Sequence, residues 1–166
     1  MILIDTSVLS RVFRRGRPGA KERHLQRVVK ELMESEAPLG LPGIVLQEVL
    51  SGIASEKQFE DLKAKLLAAF SIVPATPQDH VDAARLKNHC ARKGLNTSGM
   101  DCLIAASTMA GDHILFARDE DFSAISRHAP LKLFGQEDVA TRPRIVNYRR
   151  CCSSACFFRS SCCPFS

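Results

Sequence analysis

The sequence predicts an α/β domain with three layers, in which helices cover both faces of a central parallel sheet. Two short apolar runs, Met1–Ile4 and His113–Ala117, are each followed by polar residues, as buried strands of a parallel sheet usually are. Between these runs, segments with apolar residues at a period near 3.6 alternate with further short apolar runs. Strands that alternate with helices are typical of parallel sheets, because each parallel connection has to cross one face of the sheet.

The elements of the first half are marked by apolar spacing and by glycine and proline. The first strand, Met1–Ile4, leads into a helix that one of the polar residues 5–7 caps, and glycines and a proline place a loop at 16–19. The next predicted elements are a helix from 21 to about 35, a strand and turn at 38–42, a helix over 44–53, a helix over 56–70 and a strand at 70–74 that Pro74 ends.

The second half continues the alternation. Thr76 and Pro77 open a helix that runs to about Ala91, and Gly94 ends it. The remaining predicted elements are a helix over 103–110 with Ser98 as its N-cap, a strand at 113–117, a loop at 118–121, a short helix over 122–127 and a last strand at 131–134.

The net charge of +5 comes from the C-terminal tail. Residues 142–166 hold five arginines and no acid, so residues 1–141 are balanced, and five of the seven cysteines also lie in this tail. We place the boundary of a single domain at 1–141 and expect 142–166 to be disordered or aberrant, since its cysteines lack zinc-site spacing. The sparse cysteines of the body, together with the lack of a signal peptide or an apolar run long enough for a membrane, predict a cytoplasmic protein.

Five acidic residues lie at positions where the predicted fold could form a functional site. Asp5 and Asp119 follow two predicted strands, and ligands bind parallel sheets outside the carboxyl ends of their strands. Glu48 interrupts an apolar helix, Asp101 lies in the first turn of another helix, and Asp121 follows Asp119 by two residues. Each acid also has a structural interpretation, as a helix cap or, for Glu48, as a solvent-facing helix residue.

Together these acids favour a metal site. Carboxylates gathered in a crevice repel one another unless they are protonated or a cation neutralises them. Oxygen ligands suit Mg²⁺ or Mn²⁺, and such an ion binds a phosphodiester and lowers the pKa of a water molecule.

Other catalytic classes find less support. The five histidines form no HxxH or HExxH pair, and the chain has no GxGxxG, P-loop or GxSxG motif. Cys90 and Cys102 fit helix packing better than nucleophilic catalysis. The absence of tryptophan, with the single tyrosine in the tail, argues against a broad stacking platform for single-stranded nucleic acid.

Four sequence blocks together resemble the PIN-domain ribonucleases, specifically the VapC toxins of bacterial VapBC toxin–antitoxin pairs. The resemblance covers about residues 1–135. The blocks are MILIDTSVLS with Asp5, Thr6 and Ser7, LPGIVLQEVLSG with Glu48, SGMDCLIAAS with Asp101, and ILFARDEDFSAI with Asp119 and Asp121. Cys102 and Ser107 stand where small apolar residues are more usual in this family.

The resemblance implies a PIN domain that acts as a metal-dependent endoribonuclease on tRNA or ribosomal RNA, leaving a 5′-phosphate and a 3′-hydroxyl. It implies that Asp5, Glu48, Asp101 and Asp119 hold Mg²⁺ or Mn²⁺, that Asp121 is an accessory acid, and that Thr6 and Ser7 support these ligands. It also implies a cognate VapB-type antitoxin that blocks the site, and a toxin homodimer.

A basic stretch at 11–30 follows the first acid, with eight Lys or Arg and one acid. We expect Arg11, Arg14, Arg15 and Arg17 to contact RNA phosphates, with a solvated surface or an antitoxin contact as the alternatives. Two further functions stay open for the whole chain. One is a catalytically inactive PIN-fold module that binds RNA, and the other is a different acid-cluster enzyme, such as a phosphatase or a DNA nuclease.

Overall fold

A computed structural model describes residues 1–12, 19–35 and 37–135 of the chain. In this part of the chain, strands and helices alternate as the sequence predicts. In order, the elements are β1 (Ile2–Ile4), α1 (Thr6–Val12), α2 (Ala20–Glu34), β2 (Leu39–Pro42), α3 (Gly43–Leu50), α4 (Glu56–Ala69), β3 (Ser71–Val73), α5 (Pro77–Arg92), α6 (Gly99–Ala110), β4 (Ile114–Phe116) and α7 (Glu120–Ser126).

The four strands form one parallel sheet in the order β3–β2–β1–β4. In register, Ile2 of β1 lies between Leu39 of β2 and Ile114 of β4. The chain builds the sheet outward from β1 to β3 and then crosses back to place β4 on the other side of β1. Because crossovers between parallel strands are right-handed, this reversal puts α1–α4 on one face and α5 and α6 on the other.

The helix contacts agree with two separate layers. Helix α1 packs against α2 and α3, and α3 packs against α4, whereas α5 packs against α6 and α6 against α7. The predicted three-layer α/β/α arrangement is therefore confirmed.

The core lies on both faces of strands β2, β1 and β4. Leu3, Ile4, Leu41 and Leu115 have no solvent exposure, as continuous apolar runs in a doubly covered sheet require. The helices meet these strands with fully buried side chains of their own, among them Val8, Val45, Cys90, Cys102, Ala105 and Ile125. Cys90 and Cys102 are free thiols inside this core, which agrees with their predicted role in helix packing.

Two helices start at the polar residues that the sequence predicts, Thr76 and Ser98. The Thr76 hydroxyl accepts from the N–H of Asp79, and the Asp79 carboxylate accepts from the N–H of Thr76, which makes a complete capping box. The Ser98 hydroxyl accepts from the N–H of Asp101 at the start of α6. After α5, Gly94 adopts a left-handed φ of 77°, which explains why the helix ends there.

The predicted last strand at 131–134 is wrong. The backbone N–H of Leu115 donates to the Lys132 carbonyl, and the N–H of Phe134 donates to the Leu115 carbonyl, but only one parallel bridge forms, between Leu115 and Leu133. Pro130 provides no N–H before this bridge, and Gly135 turns the chain with a left-handed φ of 79° after it, so the ladder cannot extend. The Phe134 ring packs against the Phe116 ring, with centroids 4.6 Å apart.

Three predicted helix boundaries shift. Helix α3 ends at Leu50 instead of residue 53, since Ser51 is extended and Gly52 has a left-handed φ of 84°. Helix α6 starts at Gly99 and α7 at Glu120, each earlier than its apolar residues indicate, because polar first turns carry no hydrophobic signal. The predicted boundary at 141 and the tail 142–166 lie outside the described residues. None of the helices in the described ranges combines the length and the apolar composition needed to span a membrane.

Candidate active site

The candidate site lies at the carboxyl edge of the sheet, between β1 and β4. The strand order reverses there, and in doubly wound sheets this is where a crevice opens for ligands. The two loops that follow these strands are joined by hydrogen bonds. The N–H of Asp5 donates to the Phe116 carbonyl at 3.0 Å, and the N–H of Arg118 donates to Ser7 Oγ at 2.9 Å.

Asp5 caps helix α1 at the edge of the candidate site. Its Oδ2 accepts from the backbone N–H of Ser7 at 2.8 Å, at the start of α1, so the structural interpretation from the sequence is confirmed. Only 6% of Asp5 is exposed. Burial raises the pKa of this carboxyl above its usual value, the hydrogen bonds from Ser7 and Thr6 oppose that rise, and the Glu48 carboxylate adds to it.

Glu48 is brought to Asp5 by a side-chain contact. The Thr6 hydroxyl donates to Glu48 Oε2 at 2.7 Å, across 42 positions of the sequence. Glu48 lies exposed on α3, as its structural interpretation expected, but this bond fixes one carboxylate oxygen beside the first acid.

Asp101 is held by the cap of its own helix. Ser98 Oγ accepts from the N–H of Asp101 at 3.0 Å and donates to Asp101 Oδ2 at 2.6 Å. Ser98 therefore fixes both the start of α6 and the orientation of a predicted metal ligand.

Asp119 and Asp121 complete the group of acids. Asp119 Oδ1 accepts from the N–H of Asp121 at 3.2 Å and so caps α7. Partial desolvation raises the pKa of Asp121, and the carboxylates of Asp119, Asp101 and Glu120 raise it further. The acids of α6 and of the loop after β4 are therefore close enough to repel one another.

The sequence profile of the PIN domain matches residues 2–128, more than three quarters of the chain. The chain belongs to the PIN domain family. The match includes all five acids of the candidate site.

Solved structures share the fold of this PIN domain. FitAcB from Neisseria gonorrhoeae has 21% identity and a TM-score of 0.64, with 81% of this chain and 96% of that chain covered. A toxin–antitoxin complex from Klebsiella pneumoniae has 22% identity and a TM-score of 0.56, with 74% and 91% covered. VapC20 from Mycobacterium tuberculosis, a sarcin–ricin loop cleaving toxin, has 20% identity and a TM-score of 0.57, with 75% and 94% covered.

The acids of this PIN domain fall into two sets. Asp5 and Glu48 form one, and Asp101, Asp119 and Asp121 form the other, while the bond from Arg118 to Ser7 joins the loops that carry them. No three Asp, Glu, His or Cys side chains of the described residues lie close enough to share one metal ion. The donors nevertheless suit a hard divalent cation, since all are carboxylate oxygens whose mutual repulsion a cation relieves.

The predicted RNA-contacting arginines are placed only in part. Arg11 is exposed in the last turn of α1, whereas Arg14, Arg15 and Arg17 lie outside the described residues.

A second basic segment of the PIN domain was missed. Positions 83–100 contain four Lys or Arg and no acid, and they lead directly to Asp101. That charge pattern could have been read from the sequence, but the segment was interpreted only as a helix and a loop.

Proposed function

We propose that this PIN domain is a VapC-type toxin, a Mg²⁺- or Mn²⁺-dependent endoribonuclease that cleaves tRNA or ribosomal RNA. The observation that carries the proposal is that two sets of acids, Asp5 with Glu48 and Asp101 with Asp119 and Asp121, lie at the carboxyl edge beside the neighbouring strands β1 and β4, where the strand order reverses. Acids that lie this close together repel one another unless a cation neutralises them. The fold that this chain shares with a sarcin–ricin loop cleaving toxin supports RNA as the substrate.

Each acid has a defined part in the proposal. Asp5, Glu48, Asp101 and Asp119 hold the divalent ion, with Asp121 as an accessory acid. When bound, the ion supplies charge neutralisation at the phosphodiester and lowers the pKa of a water molecule.

The hydroxyl groups around the acids keep the carboxylates oriented. Thr6 positions Glu48, Ser98 positions Asp101, and Ser7 ties the loop after β1 to the loop after β4. Orientation before the substrate arrives matters because misplaced ligands lose much of the rate.

The partners follow from the same proposal. We expect a VapB-type antitoxin to cover the carboxyl edge and the toxin to form a homodimer in the cytoplasm. A toxin–antitoxin complex is among the structures that share this fold, which supports the antitoxin.

The test is cleavage of RNA by the full chain. Wild-type protein should cut tRNA or ribosomal RNA with Mg²⁺ or Mn²⁺, and EDTA should stop the reaction. Asp101→Asn should lower cleavage by about a hundredfold or more, because loss of a partner that only orients a metal ligand already costs about 10–100-fold. Asp61→Asn is the matched control, because Asp61 is an exposed acid on α4, outside the candidate site.

Two results would contradict the proposal. RNA cleavage that continues in EDTA and in the Asp101→Asn variant would show that these acids do not form a catalytic metal site. Cleavage of DNA or of phosphate monoesters in place of RNA would favour the other acid-cluster enzymes.

A further inference from the structure

The C-terminal part of α5 brings unpaired positive charge to the edge of the sheet that carries the acids. Only residues 111–113 separate α6 from β4, so the C-terminal end of α6 lies at the amino edge of the sheet. Since α6 has 12 residues and spans about 18 Å, its first turn, with Asp101, lies at the carboxyl edge.

The end of α5 is fixed beside that first turn. The N–H of Leu95 donates to the Cys90 carbonyl at 2.9 Å, and Thr97 Oγ1 lies 3.2 Å from Cys102 Sγ. Helix α5 packs against α6, and Lys87 lies one turn before Cys90, so Lys87 belongs to the part of α5 that adjoins this junction.

The basic side chains of this segment are available to a ligand. Lys87, Arg92 and Lys93 are exposed, and none of them takes part in an ion pair with another described residue. Arg85 differs, because it pairs with Asp82 at 3.0 Å. These three cations therefore form ion pairs neither with acids of their own helix nor with the acids of the candidate site.

We propose that Lys87, Arg92 and Lys93 form a phosphate-binding surface around the C-terminal end of α5, which holds the RNA strand beside Asp101. This inference rests on the proposed endoribonuclease function and extends it to the path of the substrate. A strand whose scissile phosphate lies at the acids carries further phosphates on either side, and those need positive partners. The segment 83–100 is free of acids and adjoins Asp101, so it meets that need.

The test compares two variants of the full chain that lose equal charge. Lys87→Gln/Arg92→Gln removes two cations from α5, and Lys57→Gln/Lys65→Gln removes two exposed cations from α4. Binding of a short fluorescein-labelled single-stranded RNA is measured in EDTA, where no cleavage occurs, over about 50–200 mM salt. Cleavage with Mg²⁺ is measured in parallel.

RNA binding by the α5 variant should depend less on salt than RNA binding by the wild type. Each phosphate contact on a single strand contributes a slope of about −0.7 to log K against log salt, so losing two contacts should flatten the slope by about 1.4. Over a fourfold range of salt, that difference amounts to about sevenfold in affinity. The α4 control and the charge-conserving Lys87→Arg/Arg92→Lys variant should keep the wild-type slope.

Three results would overturn the inference. The first is an unchanged slope in the α5 variant, or an equal loss in the α4 control. The second is an α5 variant that binds poly-L-glutamate more weakly than wild type but binds RNA equally well. That result would mean that the surface binds an acidic polypeptide. The third is a wild-type protein that does not bind RNA.

The parallel cleavage assay separates this inference from the proposed function. Metal-dependent cleavage by wild type, with an unchanged salt slope in the α5 variant, would support the proposed function and contradict only the α5 surface. Salt-dependent RNA binding through α5 without any cleavage would support the RNA-binding surface and contradict the proposed nuclease activity.

Discussion

Thr6 Oγ1 lies 2.7 Å from Glu48 Oε2 and donates a hydrogen bond that joins α1 to α3 across 42 positions of the sequence. Asp5, immediately before Thr6, is itself fixed by the N–H of Ser7. The bond from Thr6 therefore places the second acid relative to the first, although the segments that carry them are far apart in the chain. The same turn caps a helix and orients a predicted metal ligand.

Loss of the Thr6 hydroxyl should weaken cleavage by misplacing Glu48. A partly exposed hydrogen bond to a carboxylate contributes about 1 kcal/mol, so Thr6→Val should lower RNA cleavage about fivefold. Thr6→Ser should restore the rate, because it keeps the donor. Equal rates for Thr6→Val and wild type, measured with saturating Mg²⁺, would show that this bond does not position Glu48 for the reaction.

Asp5→Asn should stabilise the protein in the absence of divalent metal. Burial and the Glu48 carboxylate raise the pKa of Asp5 above its ordinary value of 3.8, so folding favours the protonated form. At a pH below 3.8 both states are protonated and the variant should match wild type. As the pH rises through 3.8 and then through the higher folded pKa, wild type loses stability relative to the variant, and the difference is complete above the folded pKa.

Thermal unfolding in EDTA between acidic and neutral pH measures this difference. Asparagine keeps an oxygen that can accept from the N–H of Ser7, so the cap survives the change. A variant less stable than wild type at neutral pH would mean that the carboxylate is stabilised in the folded protein, contrary to the direction of its pKa.

Mg²⁺ or Mn²⁺ should raise the stability that the crowded acids lower. A ligand at a hundredfold excess over its Kd adds about 2.7 kcal/mol, which corresponds to a rise in Tm of about 5–10 °C for a domain of this size. The rise should disappear with EDTA and shrink strongly in Asp101→Asn. Asp61→Asn should respond like wild type, and an equal response of Asp101→Asn would place the metal elsewhere.

Gly40→Ala should destabilise the sheet where β2 passes between β1 and β3. A Cβ at Gly40 would lie 2.9 Å from Leu3 Cδ2 and 3.1 Å from the backbone carbonyl oxygen of Ser71, and a neighbouring strand cannot easily move away. We expect a loss of about 1–3 kcal/mol in the free energy of unfolding, measured with urea.

Gly99→Ala provides the control for that substitution. Gly99 lies at the start of α6 with no neighbouring atom within 4 Å of a new Cβ, so alanine should be neutral or should stabilise the protein by up to about 1 kcal/mol. A Gly40→Ala protein as stable as Gly99→Ala would contradict this prediction. It would show that β2 and β3 move apart enough to accommodate the added methyl group.

The sequence by itself determined the fold class and the acids. Apolar runs, helical periods and capping residues act within a few positions of the chain, so β1, β4, the Ser98 cap and the acids of the four sequence blocks could be found by inspection. The limits of local pattern show at residues 131–134, where an apolar run predicts a strand but the chain makes a single bridge to Leu115.

The tertiary structure decided which of these local features meet. No local pattern says that β4 pairs with β1 or that Thr6 reaches Glu48. Those contacts join positions far apart in the chain, and their geometry depends on strand order and on the packing of whole helices. The candidate site exists because the reversal of strand order brings the loops after β1 and β4 together, and that reversal is a property of the complete sheet.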